Sequence, residues 1–120
     1  MNRTRMLAAT GVAALTAGVL AAAVAGAATP KLTASVSDPL NISLTKGGVK
    51  VTKLKAGKYT IVVQDKASDH NFRLTGPGVN KATSVKGKGT TTWTVTLKKG
   101  KYTYVCDPHK AFMKGSFTVS

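Results

Sequence analysis

The chain predicts an all-β fold, a two-sheet Greek-key β-sandwich of about seven or eight strands. Three observations carry this. Beyond residue 30, apolar and polar residues alternate in short runs. Those runs are broken at regular spacing by Gly, Pro and Lys-Gly turns. No stretch there holds the three-to-four-residue apolar period of an amphipathic helix.

Taken in order, Leu32 to Val36 opens the first sheet, and Asn41 to Thr45 follows Asp38-Pro39 with Ile42 and Leu44 on one face. Lys46-Gly47-Gly48 turns the chain into a strand from Val49 to Leu54. Lys55-Ala56-Gly57 leads into Tyr59 to Gln64, where Tyr59, Ile61 and Val63 alternate with Thr60 and Val62. A strand from Asn71 to Leu74 ends at the turn Gly76-Pro77-Gly78. The stretch from Pro77 to Gly89 reads as loop or as a weak edge strand around Thr83 to Val85. Thr90 to Leu97 is the clearest strand, with Trp93, Val95 and Leu97 on a core face and Thr92, Thr94 and Thr96 on a wet one. Lys98-Lys99-Gly100 turns into Lys101 to Cys106, and Gly115 to Val119 closes the fold with Phe117 and Val119 inward.

The N-terminus differs in kind. Arg3 and Arg5 precede an Ala/Leu/Val-rich run from Met6 to Val24, followed by Ala25-Gly26-Ala27. A basic start, an apolar stretch and small residues at the cleavage position form a secretory signal, expected over residues 1–27. The run is nearly long enough to serve as a retained anchor, but its alanine content and the small-residue site favour removal. A mature chain starting near Ala28 has no later segment able to span a membrane. Such a chain is expected to be extracytoplasmic, in the periplasm, the cell envelope or secreted.

Residues 28–120, 93 in all, suffice for one domain and not two. A domain of that size buries only about 60% of its unfolded surface, so a bound metal that favours the folded state would add useful stability. Without Arg3 and Arg5, 16 of the 18 basic side chains remain against Asp38, Asp65, Asp69 and Asp107, a net charge near +12 with no glutamate. In an exported protein such a field favours an acidic redox protein or an anionic envelope surface, against the alternative of a merely solvated lysine-rich face. Few aromatics lie among the lysines, which argues against nucleic acid. A basic monomer is the default.

The chemistry concentrates in Cys106-Asp-Pro-His109-Lys-Ala-Phe-Met113, which places a thiolate, an imidazole and a thioether in one short stretch. His70, in Asp69-His70-Asn71-Phe72, supplies a second imidazole, and beyond the signal the chain has no other Cys, His or Met. Two imidazoles, a thiolate and a weak thioether are what a trigonal electron-transfer copper site requires, so one copper ion cycling between Cu(I) and Cu(II) is expected. Zinc is disfavoured by the thioether and by the missing Cys-x-x-Cys pairs. A lone Cys106 is otherwise a buried structural thiol, and an unprotected one in an oxidising compartment invites oxidation. Cys106 ends one strand and His109 and Met113 follow in the next loop, so three candidate ligands come from one hairpin while His70 arrives from a distant segment. Such a closed, rigid set limits rearrangement when copper changes oxidation state. Phe112, Pro108 and Pro77 are candidates for an apolar rim around an exposed edge of His109, with Phe112 turned inward as the alternative.

The stretch Gly100-Lys-Tyr102-Thr-Tyr104-Val-Cys106-Asp-Pro-His109, with His70-Asn71 upstream and Met113 downstream, resembles the small blue (type 1) copper proteins, or cupredoxins, and among them plastocyanin-like bacterial members. That resemblance spans the mature chain in strand plan and is sharp at residues 68–74 and 100–117. It implies a β-sandwich electron carrier with His70, Cys106 and His109 as equatorial ligands and Met113 as the axial one. It also implies that Asn71 ties the two ligand loops together through its side chain, sends its backbone amide to the Cys106 sulfur, and neighbours Asp107. The chain departs from the family's common loops in one respect. Three residues separate His109 from Met113, where plastocyanins usually have four and amicyanins two. The acidic docking patches of some plastocyanins are absent.

The expected function is single-electron transfer between redox partners. The alternative is an envelope copper carrier or sequestration protein. An enzyme is not expected, since multicopper enzymes need further histidines and both present here are taken.

Overall fold

The computed structural model describes residues 28–120, and the expected signal segment lies outside the described residues. Among the described residues, ten strands form two sheets. They are β1 (Lys31–Ser37), β2 (Asn41–Lys46), β3 (Val49–Lys50), β4 (Lys53–Leu54), β5 (Gly57–Asp65), β6 (Arg73–Gly76), β7 (Val79–Ala82), β8 (Gly89–Leu97), β9 (Gly100–Val105) and β10 (Lys114–Val119). One sheet runs β3-β2-β1-β5-β8 and the other β4-β10-β9-β6-β7. β5 returns beside β1 in Greek-key fashion, although it runs parallel to β1, as β10 does to β4.

The alternation read from sequence sets the inner faces. Leu32, Ala34 and Val36 of β1, Tyr59, Ile61 and Val63 of β5, and Trp93, Val95 and Leu97 of β8 are all buried. They face Leu74, Tyr102, Tyr104, Phe117 and Val119 of the second sheet in one continuous core. Aromatic rings organise that second layer: Tyr102 stacks on Phe117 with centroids 5.3 Å apart, and Phe72 on Tyr104 at 5.5 Å. The Tyr102 hydroxyl donates to the Pro77 carbonyl at 2.8 Å and accepts from the Lys98 amide at 2.9 Å, so this large ring is buried without an orphaned oxygen. Gly115 lies opposite Tyr104, and a Cβ there would collide with the ring. Among the described residues, every strand and the whole core cluster lie between residues 31 and 119.

Two sequence expectations are corrected, and they raise the strand number to ten. Val49 to Leu54 is two short strands in different sheets: β3 pairs with β2, while β4 pairs with β10. Val51, buried between them, donates its amide to the Leu44 carbonyl at 3.0 Å, and the Thr52 carbonyl accepts from the Thr118 amide at 3.0 Å, so the chain changes sheet within two residues. The weak strand expected near Thr83 to Val85 lies instead at Val79–Ala82, because the Gly76-Pro77-Gly78 turn folds the chain straight back on β6. Among the described residues no helix is long and apolar enough to cross a membrane.

Candidate metal centre

β5, β6 and β9 position the centre at one end of the sandwich. β9 delivers Cys106 just past its last residue, and a short 3-10 turn, Asp107–His109, carries His109 back over it. Pro108 suits the first turn of such a helix, where no amide partner is needed. The loop closes on itself: the His109 amide donates to the Cys106 carbonyl, the Met113 amide to the His109 carbonyl, and the Cys106 amide to the Met113 carbonyl, at 3.0, 2.8 and 3.0 Å. Met113 is fully buried directly before β10.

His70 enters from the segment joining β5 to β6, across the sheet interface, and is fully buried. Its Nδ1 lies 3.2 Å from His109 Nδ1 and 3.7 Å from Cys106 Sγ, and His109 Nδ1 lies 3.5 Å from the same sulfur. The rings meet edge to face at 4.9 Å. The point equidistant from these three atoms lies about 2 Å from each, the length of a metal–nitrogen bond. Three lone-pair donors this close repel one another unless a proton or a metal ion lies between them. Two imidazoles and a thiolate suit copper by softness. Cys106 is buried and free, with no second cysteine to pair with it.

Asn71 joins the two halves. Its amide donates to Cys106 Sγ at 3.4 Å, its side-chain carbonyl accepts from the Asp107 amide at 2.7 Å, and its Nδ2 donates to Asp107 Oδ2 at 2.8 Å and to the Thr83 carbonyl at 3.1 Å. Asp107 also accepts from Arg73 Nε at 2.9 Å, and that hydrogen bond is the main cause holding its carboxyl below the ordinary range. Arg73 is raised in turn by the same partner. Burial pushes the Tyr104 phenol upward.

Sequence reasoning missed two contributors. Thr83 anchors the His70 segment, its hydroxyl accepting from the Phe72 amide at 2.9 Å. Asp38 stands at the outer edge of His70, its Oδ1 3.0 Å from Nε2, with Asp69 Oδ1 at 3.8 Å. That approach is off the hydrogen-bonding direction and leaves the buried Nε2 without an aligned acceptor in this geometry. Asp38 lies 32 residues before His70, and only the parallel β1–β5 pairing brings the two together. The apolar rim is also corrected. Phe112 is 75% exposed. Pro77, however, packs against Gly100 at the start of β9, about 20 Å from Cys106 along the strand, and takes no part in the centre.

The profile for copper binding proteins of the plastocyanin/azurin family matches residues 27–120. The chain belongs to that family. Its fold is similar to that of solved rusticyanins. Reduced rusticyanin at 1.9 Å aligns with a TM-score of 0.59 at 20% identity, covering 79% of this chain and 81% of that one. Rusticyanin from Thiobacillus ferrooxidans at 1.27 Å aligns with a TM-score of 0.54 at 24% identity, covering 79% of each chain. No curated protein matches at the sequence level. Family membership and the His-Cys-His triangle together identify the cofactor of this cupredoxin as one copper ion.

Proposed function

We propose that this cupredoxin is an exported one-electron carrier, with His70, Cys106 and His109 as equatorial copper ligands and Met113 as the axial one. The observation that carries the proposal is the triangle of Nδ1, Nδ1 and Sγ atoms, sized for one ion and flanked by the self-bonded Cys106–Met113 loop. Copper held there supplies reversible one-electron chemistry. The chain's own residues hold the geometry. The closed Cys106–Met113 loop and the Asn71 bridge keep the three donors in place whether or not charge changes between them. His109 is only half-buried, and with the exposed Phe112 beside it offers the route by which an electron leaves the protein. Lys110 and Lys114 flank that edge and suit an acidic redox partner. Signal removal near Ala27 places the mature monomer outside the cytoplasm, and no enzymatic role is assigned.

An optical and EPR titration of residues 28–120 with copper(II) tests this reading. An intense visible thiolate-to-copper band with narrow hyperfine splitting is expected, absent in Cys106→Ser and shifted in Met113→Leu. A protein that binds copper yet stays colourless would overturn electron transfer in favour of copper carriage.

A further inference from the structure

All four acidic side chains stand at the metal end of the sandwich. Asp38 and Asp69 face His70, Asp107 bonds Asn71, and Asp65 closes β5, its Oδ1 accepting from the Ala67 amide at 3.2 Å. The cations on that side, Lys66, Arg73, Lys86, Lys88, Lys110 and Lys114, are thereby offset in part. The opposite end carries no acidic side chain. There Lys46, Lys53, Lys55 and Lys58 line an open cavity of about 570 Å³ with Pro30 and Tyr59. Lys98 and Lys99 occupy the neighbouring β8–β9 turn, brought alongside by the pairing of Leu97 with Gly57. All six lysines are exposed. The chain enters the domain at this same end through Ala28–Pro30, the Pro30 carbonyl accepting from the Thr60 amide at 3.0 Å. The apolar stretch ending at Val24 lies only a few residues upstream in sequence.

We propose that this lysine-rich end is a docking surface for an anionic phospholipid bilayer, which holds the domain with its metal end pointing away. Each lysine near such a surface adds attraction that screening by salt weakens. The segregation of charge gives the attraction a direction. β9, six residues long, separates the two ends by about 20 Å, so His109 and Phe112 stay clear of the headgroups and free to meet a redox partner. Six exposed lysines spread over a whole end with no acidic side chain among them suit an extended anionic surface, which a bilayer presents and the small acidic patch of a soluble protein does not. The inference goes beyond the copper reading and is independent of it, since neither the lysines nor the bilayer requires metal.

Sedimentation of residues 28–120, without copper, with vesicles of phosphatidylglycerol and phosphatidylcholine tests it against vesicles of phosphatidylcholine alone. Binding to the anionic vesicles only, falling steeply with salt, is expected. The variant K46Q/K53Q/K55Q/K58Q/K98Q/K99Q should bind about 100-fold more weakly, while K66Q/K86Q/K88Q/K110Q/K114Q should stay within about threefold of the parent. Both sets are surface changes, and circular dichroism confirms that each variant is folded. A paramagnetic headgroup lipid should broaden backbone amide signals at residues 53–58 and 98–101 and spare those at 107–114. Equal losses in the two variants, broadening at the metal end, or retention by soluble polyglutamate without vesicle binding would each overturn the assignment.

Discussion

The Cys106–Met113 loop is closed by its own backbone, whereas the segment that carries His70 is held almost entirely by residues far away in sequence. The loop's hydrogen bonds run among Cys106, His109, Phe112 and Met113. The other segment depends on Asp107 and Cys106, more than 30 residues onward, on Thr83, and on Asp38 behind it. One half of the centre is therefore built by local geometry and the other by sheet register. Damage to the first should stay local, and damage to the second should spread into the fold.

The largest expected effect separates the two histidines. His109→Gly and His70→Gly should both lose the intense visible band. Added imidazole should restore it only in His109→Gly, because His109 reaches the surface while His70 is fully enclosed. Optical titration with imidazole checks this, and rescue of both would erase the distinction between halves. Next comes Asn71→Ala, which strips the bridge and orphans the Asp107 amide. A loss of about 2–4 kcal/mol in urea unfolding of the metal-free protein is expected. A smaller effect is expected from Asp38→Ala. The Asp38 carboxylate stands 3.0 Å from Nε2, on the side of the ring away from the donor triangle, and a negative charge there favours a cation bound at Nδ1, so copper affinity measured by chelator competition should fall by up to about tenfold.

The smallest effect lies outside the centre, at Asp65. Burial raises its carboxyl above the ordinary 3.8, and Oδ2 has no partner. A raised folded-state value means that the folded form is relatively favoured when protonated. Stability is thus unpenalised below the unfolded value and is lost as pH rises through the folded one. Asp65→Asn should gain on the parent between about pH 4 and pH 7, by less than about 1 kcal/mol, and the gain should vanish in stronger acid. Paired thermal unfolding curves across that range measure it.

What could be read beforehand follows the same division. The alternation in Thr90 to Leu97 and Tyr59 to Gln64 marks both strands and their buried faces, since a two-residue period is visible in the chain itself. Cys106, His109 and Met113 stand out because they are close in sequence. Val49 to Leu54 hid its change of sheet, because two residues of β3 and two of β4 look like one run and only pairing partners tell them apart. β7 was equally hidden, since its side chains are mostly exposed and carry no apolar period. Asp38 gave no signal at all: nothing near Pro39 indicates that a parallel pairing will carry it to His70. The gathering of every aspartate at one end is invisible for the same reason.

β10 lies in the interior of its sheet, flanked by β4 and β9, and begins directly after Met113. Both neighbours were made earlier in the chain, and β4 must wait about sixty residues for its partner. Synthesis thus runs almost to Val119 before the second layer can close. Sheets that rely on such distant partners assemble slowly compared with locally paired ones. The covering of Cys106 is consequently tied to the last strand of the chain, and a chain interrupted before Lys114 would lack the strand that pairs with Gly100–Val105 directly before that cysteine.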